Sequence, residues 1–304
     1  MAEVHDPVMV EEAAAALGCR PGGLWVDATV GAGGHAAAIL ARTAPDGFLL
    51  GIDRDREILE IAARRLAPHA GRFALVHGTF GRLGEIVSGA GRGPADGVLV
   101  DLGISSLQLD EPGRGFSFRA DAPLDMRMDR SGGETALDLV AAADEEELAR
   151  IIYEYGEEPQ SRRIARAIRR ERERGGALTT QRLAGAIAAA VGGRGPRGGR
   201  IHPATRTFQA LRIAVNRELE ELASALAALP GILAPRGRAC VIAYHSLEDR
   251  AVKQAFRAWS RRGRGEGPAP FALLTKKPAR PSAAELRRNP RARSARLRAI
   301  ARAA

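Results

Sequence analysis

Four short apolar runs, each closed by turn residues and separated by helical patterns, constrain this chain more than any other feature. They are LWVDATV (24–30), GFLLGIDRD (47–55), FALVHG (73–78) and DGVLVDLG (96–103). Between them, GHAAAILART (34–43) and REILEIAARRLA (56–67) place apolar residues at helical spacing. Runs this short and this continuously apolar fit strands buried on both faces, hence a parallel sheet covered by helices. Near residue 134 the alternation stops, and three helical patterns follow to about 191. GGRGPRGGR (192–200) reads as a solvated loop. Residues 205–229 read as one long helix between Pro203 and Pro230. Strand pattern returns at RACVIAYH (238–245), before a helical SLEDRAVKQAFRAW and further strand patterns in FALLTKK and SARLRAIA. The expected architecture is α/β and doubly wound, interrupted by a helical insertion. Residues 1–110 and 205–304 form the discontinuous α/β part, and 111–204 the insertion.

Charge narrows the partners. Residues 1–110 carry 9 Arg against 14 Asp and Glu, a net of −5, whereas residues 261–304 carry 13 Lys and Arg against two Glu, a net of +11. A basic end fits an anionic partner such as nucleic acid. It fits Arg-rich codon usage as well, since only Lys253, Lys276 and Lys277 are lysines. Cys19 and Cys240 are too few for a disulfide framework or a zinc cluster, which suits a reducing cytoplasm. The acidic start MAEVHDPVMVEE lacks a signal-peptide core. No apolar run approaches the roughly 18 residues of a membrane helix. The expectation is a cytoplasmic protein with no membrane partner and no metal.

The loop DATVGAGGH (27–35) joins the first strand to the first helix. Gly31, Gly33 and Gly34 permit a tight turn and close approach of a ligand to the backbone. Asp53 ends the next strand 20 residues after Gly33, where a carboxylate bonds the hydroxyls of an adenosine ribose. The spacing is not G-x-G-x-x-G, and Asp27 on the strand disfavours a pyrophosphate. A ligand with a cationic amino-acid end, such as S-adenosylmethionine, suits it better. A plain connecting turn is the competing reading.

Longer motifs sharpen this. VGAGGH, DGVLVDLGISSLQLDEPGRGFSFRADAPLDMRMD (96–129), HPATRTFQALRIAVNRELEEL (202–222), HSLEDRAVK (245–253) and NPRARSARLR (289–298) stand in one order along the chain. In these motifs the sequence resembles the bacterial small-subunit ribosomal RNA methyltransferase H family, also called MraW, over essentially its full length. The resemblance implies a class I, Rossmann-like S-adenosylmethionine-dependent methyltransferase domain with an inserted all-helical, substrate-recognising domain. It implies methylation of N4 of one cytidine in 16S rRNA near the decoding centre, on naked RNA or on the small ribosomal subunit. A homodimer is left open. By the same resemblance Gly33, Gly34, His35, Asp53, Phe80, Asp101 and Gln108 contact the cofactor. Taken singly, without the family motif, His35 reads as a helix cap or packing residue, Phe80 as core and Gln108 as surface. Two departures stand out: Ala243-Tyr244 replace a Ser-Phe pair, and Leu107 replaces a proline.

Methyl transfer from a sulfonium is an in-line displacement that needs alignment and a proton acceptor. Asp101, or a backbone carbonyl near Leu102 and Gly103, is expected to accept from the cytosine amine, with Ser105 and Ser106 orienting the base. Asp101 as a cofactor contact alone is the competing assignment. His245 ends the fifth strand pattern and either meets the substrate or caps the next helix with Ser246, the preferred cap. Arg293 and Arg296 in the basic end are expected to grip RNA phosphates. The same chemistry on DNA or protein, and an RNA-binding assembly protein with a vestigial pocket, are the alternatives. The six carboxylates between Asp101 and Asp129 are expected to bond nearby arginines or backbone.

Overall fold

The computed structural model describes residues 7–192, 202–261 and 269–304. The Gly/Arg loop expected over 192–200 lies outside the described residues from 193 onward, as do the first six residues. Each apolar run forms a strand. β1 is Leu24–Asp27, β2 Phe48–Asp53, β3 Phe73–His77 and β4 Ala95–Asp101; β5 (Leu233–Ala243), β6 (Phe271–Leu273) and β7 (Arg296–Arg302) follow late in the chain. They make one seven-stranded sheet in the order β3-β2-β1-β4-β5-β7-β6. β3 through β5 run parallel, while β7 pairs antiparallel with both β5 and β6.

Alternation along the strands explains the two covered faces. Val26, Leu50, Ile52, Val98, Val100 and Val241 point to one core, closed by Leu222, Leu229, Val252 and Phe256. Trp25, Leu49, Leu99, Cys240 and Ile242 point to the other, closed by Leu17, Ile39, Leu40 and Leu66. Successive strand residues face opposite sides, so a strand buried on both must be apolar at every position. The chain order reverses between β1 and β4, and in such sheets ligands sit at the carboxyl ends of the strands beside the reversal.

The chain divides into two units, Met1–Gly103 with Leu219–Ala304, and Ile104–Glu218. These boundaries differ from the expected 110/111 and 204/205. The helix Thr205–Asn216, assigned above to the α/β part, belongs to the helical unit. There it packs on Glu145–Gly156, with Phe208 and Leu211 in the helical core and Gln209 Nε2 donating to the Tyr155 carbonyl at 3.0 Å. The single helix expected over 205–229 is two, Thr205–Asn216 and Glu218–Ile232. Arg217 breaks them with φ of 51°, its N–H bonded back to the Ala214 and Ile213 carbonyls. Pro230 lies inside the second helix rather than after it.

The helical unit is built from Ala136–Ala142, Glu145–Gly156, Ser161–Glu173, Thr180–Ala190 and Thr205–Asn216, the second, fourth and first entered through the caps Asp144, Thr179 and Thr135. Its long approach is held by buried polar groups. Arg114 donates to the Arg127 and Met128 carbonyls, and Asn216 accepts from Met128 N at 2.8 Å and donates to the Met126 carbonyl at 2.7 Å. Carboxylates of this stretch have local roles of their own. Asp125 pairs with Arg127 at 2.8 Å, Asp121 accepts from Gln181 N, and Asp129 accepts from Ser131. Among the described residues no helix is long and apolar enough to cross a membrane.

Candidate active site

The carboxyl ends of β1, β2 and β4 each finish in an aspartate, Asp27, Asp53 and Asp101. Parallel pairing brings these ends side by side, which no separation in sequence would do. The loop after β1 turns through Gly31 (φ 50°) and Gly33 (φ 80°), conformations that glycine adopts at no steric cost. Gly31 N–H donates to Asp53 Oδ2 at 2.9 Å, so the loop is tied to the end of β2. A Cβ at Gly31 would meet only the Thr29 carbonyl, 3.9 Å away, which leaves the loop open to close approach. Gly34 serves packing instead, because a Cβ there would lie 2.7 Å from Pro7 Cγ.

Asp53 accepts Asp55 N–H on its other oxygen at 3.0 Å. Burial raises its carboxyl to about 6, against the pull of these two backbone bonds. Asp27 is wholly buried. Its Oδ1 accepts Thr29 N–H at 3.3 Å, and its Oδ2 has no hydrogen-bond partner among the described residues. Burial pushes this carboxyl up to about 7, partly offset by His35. His35 is buried at the start of the helix Gly34–Arg42. Its Nε2 stands 3.4 Å from Asp101 Oδ2, close enough for an ion pair but without hydrogen-bond geometry. Burial alone would lower the His35 pKa; the Asp101 and Asp27 carboxylates outweigh it and raise the value.

Asp101 is held from three sides. Its N–H donates to Thr29 Oγ1 at 2.7 Å, Tyr244 donates its hydroxyl to Oδ1 at 2.9 Å, and His35 faces Oδ2. Thr29 and Tyr244 were not expected as site residues. Tyr244 stands out in sequence only as a departure from a family motif, and nothing in the sequence marks Thr29.

The other expected positions fall as follows. Phe80 opens the 3-10 turn Phe80–Arg82 after β3, half-buried against the core. Ser105 caps the helix Ser106–Asp110 in the helical unit; its hydroxyl accepts Gln108 N–H at 3.1 Å and Gln108 Oε1 accepts Ser105 N–H at 3.0 Å. This capping box uses the groups that were expected to meet base and cofactor. β5 ends at Ala243, so His245 lies beyond the strand. His245, not Ser246, is the N-cap of Ser246–Trp259, its Nδ1 accepting Glu248 N–H at 3.4 Å while Glu248 accepts Tyr244 and His245 N–H. Arg296 and Arg298 both bond Asp249, Arg298 at 2.7 Å, which fastens β7 to that helix. Arg293 is exposed on the 3-10 turn Pro290–Ser294.

These residues fit S-adenosylmethionine. A buried carboxylate oxygen without a partner suits an ammonium group, because an uncompensated buried charge is costly until paired. Asp53 at the end of β2 suits ribose hydroxyls, with acceptor capacity left beyond its two backbone bonds.

Comparison with known proteins agrees. A sequence profile of the MraW methylase family matches residues 2–303. The chain is 51% identical over 308 residues to a ribosomal RNA small subunit methyltransferase H of Syntrophotalea carbinolica, covering 98% of each chain. It is 49% identical to the protein of that name from Symbiobacterium thermophilum, over 99% of this chain and 97% of that one. The one from Methylobacterium nodulans is 52% identical, over 97% of this chain and 89% of its own. A profile match over nearly all residues, together with half-identical relatives of matching length, places the chain in the MraW methylase family.

Proposed function

We propose that this protein transfers the methyl group of S-adenosylmethionine to N4 of one cytidine of 16S rRNA near the decoding centre. The observation that carries the proposal is the fixed Asp101 carboxylate beside Asp27, whose Oδ2 has no partner among the described residues, at the sheet's reversal point. When bound, the cofactor supplies an electrophilic methyl on a sulfonium that is its own leaving group. Asp27 would hold the ammonium, Asp53 the ribose hydroxyls, and Phe80 would contact the adenine. The Gly31–Gly33 turn lets the backbone close on the ligand.

The cytosine amine is a weak nucleophile because its lone pair is delocalised into the ring. A carboxylate accepting from its N–H favours a pyramidal, more reactive nitrogen. Asp101 is the group for that task, with acceptor sites left over after Tyr244 and His35. The helical unit is the substrate-recognition part. It offers a cavity of about 300 Å³ lined by Phe116, Phe118, Phe208, Gln209 and Arg119, and such aromatic faces stack on unpaired bases. Arg293, exposed on its 3-10 turn, serves the RNA strand. The site of action is the cytoplasm, where ribosomes assemble. Sedimentation equilibrium distinguishes one copy from a homodimer.

The test is to incubate the protein with methyl-labelled S-adenosylmethionine and either small subunits or naked 16S rRNA from cells lacking the activity. N4-methylcytidine at one position is the expected product. Its absence on both substrates, or label in DNA or protein instead, would overturn the proposal.

A further inference from the structure

We infer that the Tyr244 hydroxyl is a positioning group for methyl transfer, holding the Asp101 carboxylate in the orientation that receives the acceptor amine. The inference rests on the proposed role of Asp101. A carboxylate turns about a broad torsion that the backbone does not fix. The bond from Asp101 N–H to Thr29 Oγ1 anchors only the main chain. His35 Nε2, at 3.4 Å and poorly aligned, does not fix the angle. The 2.9 Å bond from Tyr244 is therefore the directional tether.

Tyr244 is itself well held. It follows β5 directly, and its N–H donates to Glu248 Oε2 at 2.8 Å. Its ring stands 3.5 Å from where a Cβ of Gly103 would be, so it also backs the turn that leaves Asp101. Burial, then the charge of Asp101, raise the phenol well above its ordinary value. The hydroxyl stays protonated and donates throughout the neutral range. With one acceptor site on Oδ1 taken, the carboxylate presents the remaining sites in a fixed direction.

Tyr244→Phe removes one oxygen and keeps the ring against Gly103. The measurements are kcat and KM on small subunits, cofactor Kd by calorimetry, and the same for Asp101→Asn and the double variant. Phenylalanine stands here in the family motif, so the hydroxyl tunes the reaction, and the expected result is a fall in kcat of about 10-fold, the worth of one hydrogen bond to a charged group. Cofactor Kd should stay within about twofold of the parent, which also reports an intact fold, and the double variant should lose no more than Asp101→Asn alone. Normal kcat in Tyr244→Phe beside an inactive Asp101→Asn overturns the inference on Tyr244 only. Normal kcat in Asp101→Asn overturns the role of Asp101 itself. A loss confined to cofactor Kd, or losses that simply add in the double variant, also overturns the positioning role.

Discussion

Asp27→Asn separates what a buried charge costs the fold from what it gives the cofactor. The wild-type carboxyl is fully buried and moves from its ordinary 3.8 to about 7 on folding, with desolvation the main cause. At about 1.4 kcal/mol for each tenfold step in acidity, the ionised form costs about 4 kcal/mol. The sign follows from proton uptake. The folded state holds the proton more tightly, so stability is full below pH 3.8 and is lost as pH rises through about 7. Asparagine removes the charge but leaves an amide where the unpartnered Oδ2 stood, a pH-independent cost of about 1–3 kcal/mol. The pH dependence of the difference is therefore the cleaner quantity. Between pH 5.5 and pH 8 the variant should gain about 2 kcal/mol on the wild type, since roughly half of the cost is already present at the lower pH. Urea unfolding read through Trp25 and Trp259 measures this, and both tryptophans lie in the sheet unit. Calorimetry at pH 8 should show S-adenosylmethionine binding weakened roughly 10- to 100-fold, the worth of a hydrogen bond to a charged group. A stability difference that ignores pH would refute the desolvation account. Unchanged cofactor affinity would refute the pairing of Asp27 with the ammonium.

Two further outcomes test the packing that frames the site. Asn216→Ala strips Met128 N–H and the Met126 carbonyl of their buried partner and should destabilise the helical unit by about 2–4 kcal/mol, seen as faster hydrogen exchange across 104–216. Asp249→Ala leaves Arg298, only 8% exposed, without its carboxylate. A loss of about 3–5 kcal/mol in urea unfolding is expected, with β7 exchanging first.

The sequence by itself determined the sheet strands, the glycine turn and the aspartates at the strand ends. Each is a local signal: apolar runs of strand length, glycines where φ is positive, and an acid 20 residues on from Gly33. Family motifs added the reaction and the acceptor base. Local patterns could not show that Arg217 breaks a helix, because arginine carries no preference for the left-handed conformation it adopts there. Nor could they show that Gly34 makes room for Pro7, that Arg296 and Arg298 are engaged by Asp249, or that Ser105 and Gln108 satisfy each other. Only the tertiary structure joined Thr29, Asp101 and Tyr244, which lie 72 and 143 residues apart, around one carboxylate. Contacts at that separation depend on strand order and register, and a carboxylate's partners, not its identity, decide where its free acceptor sites point.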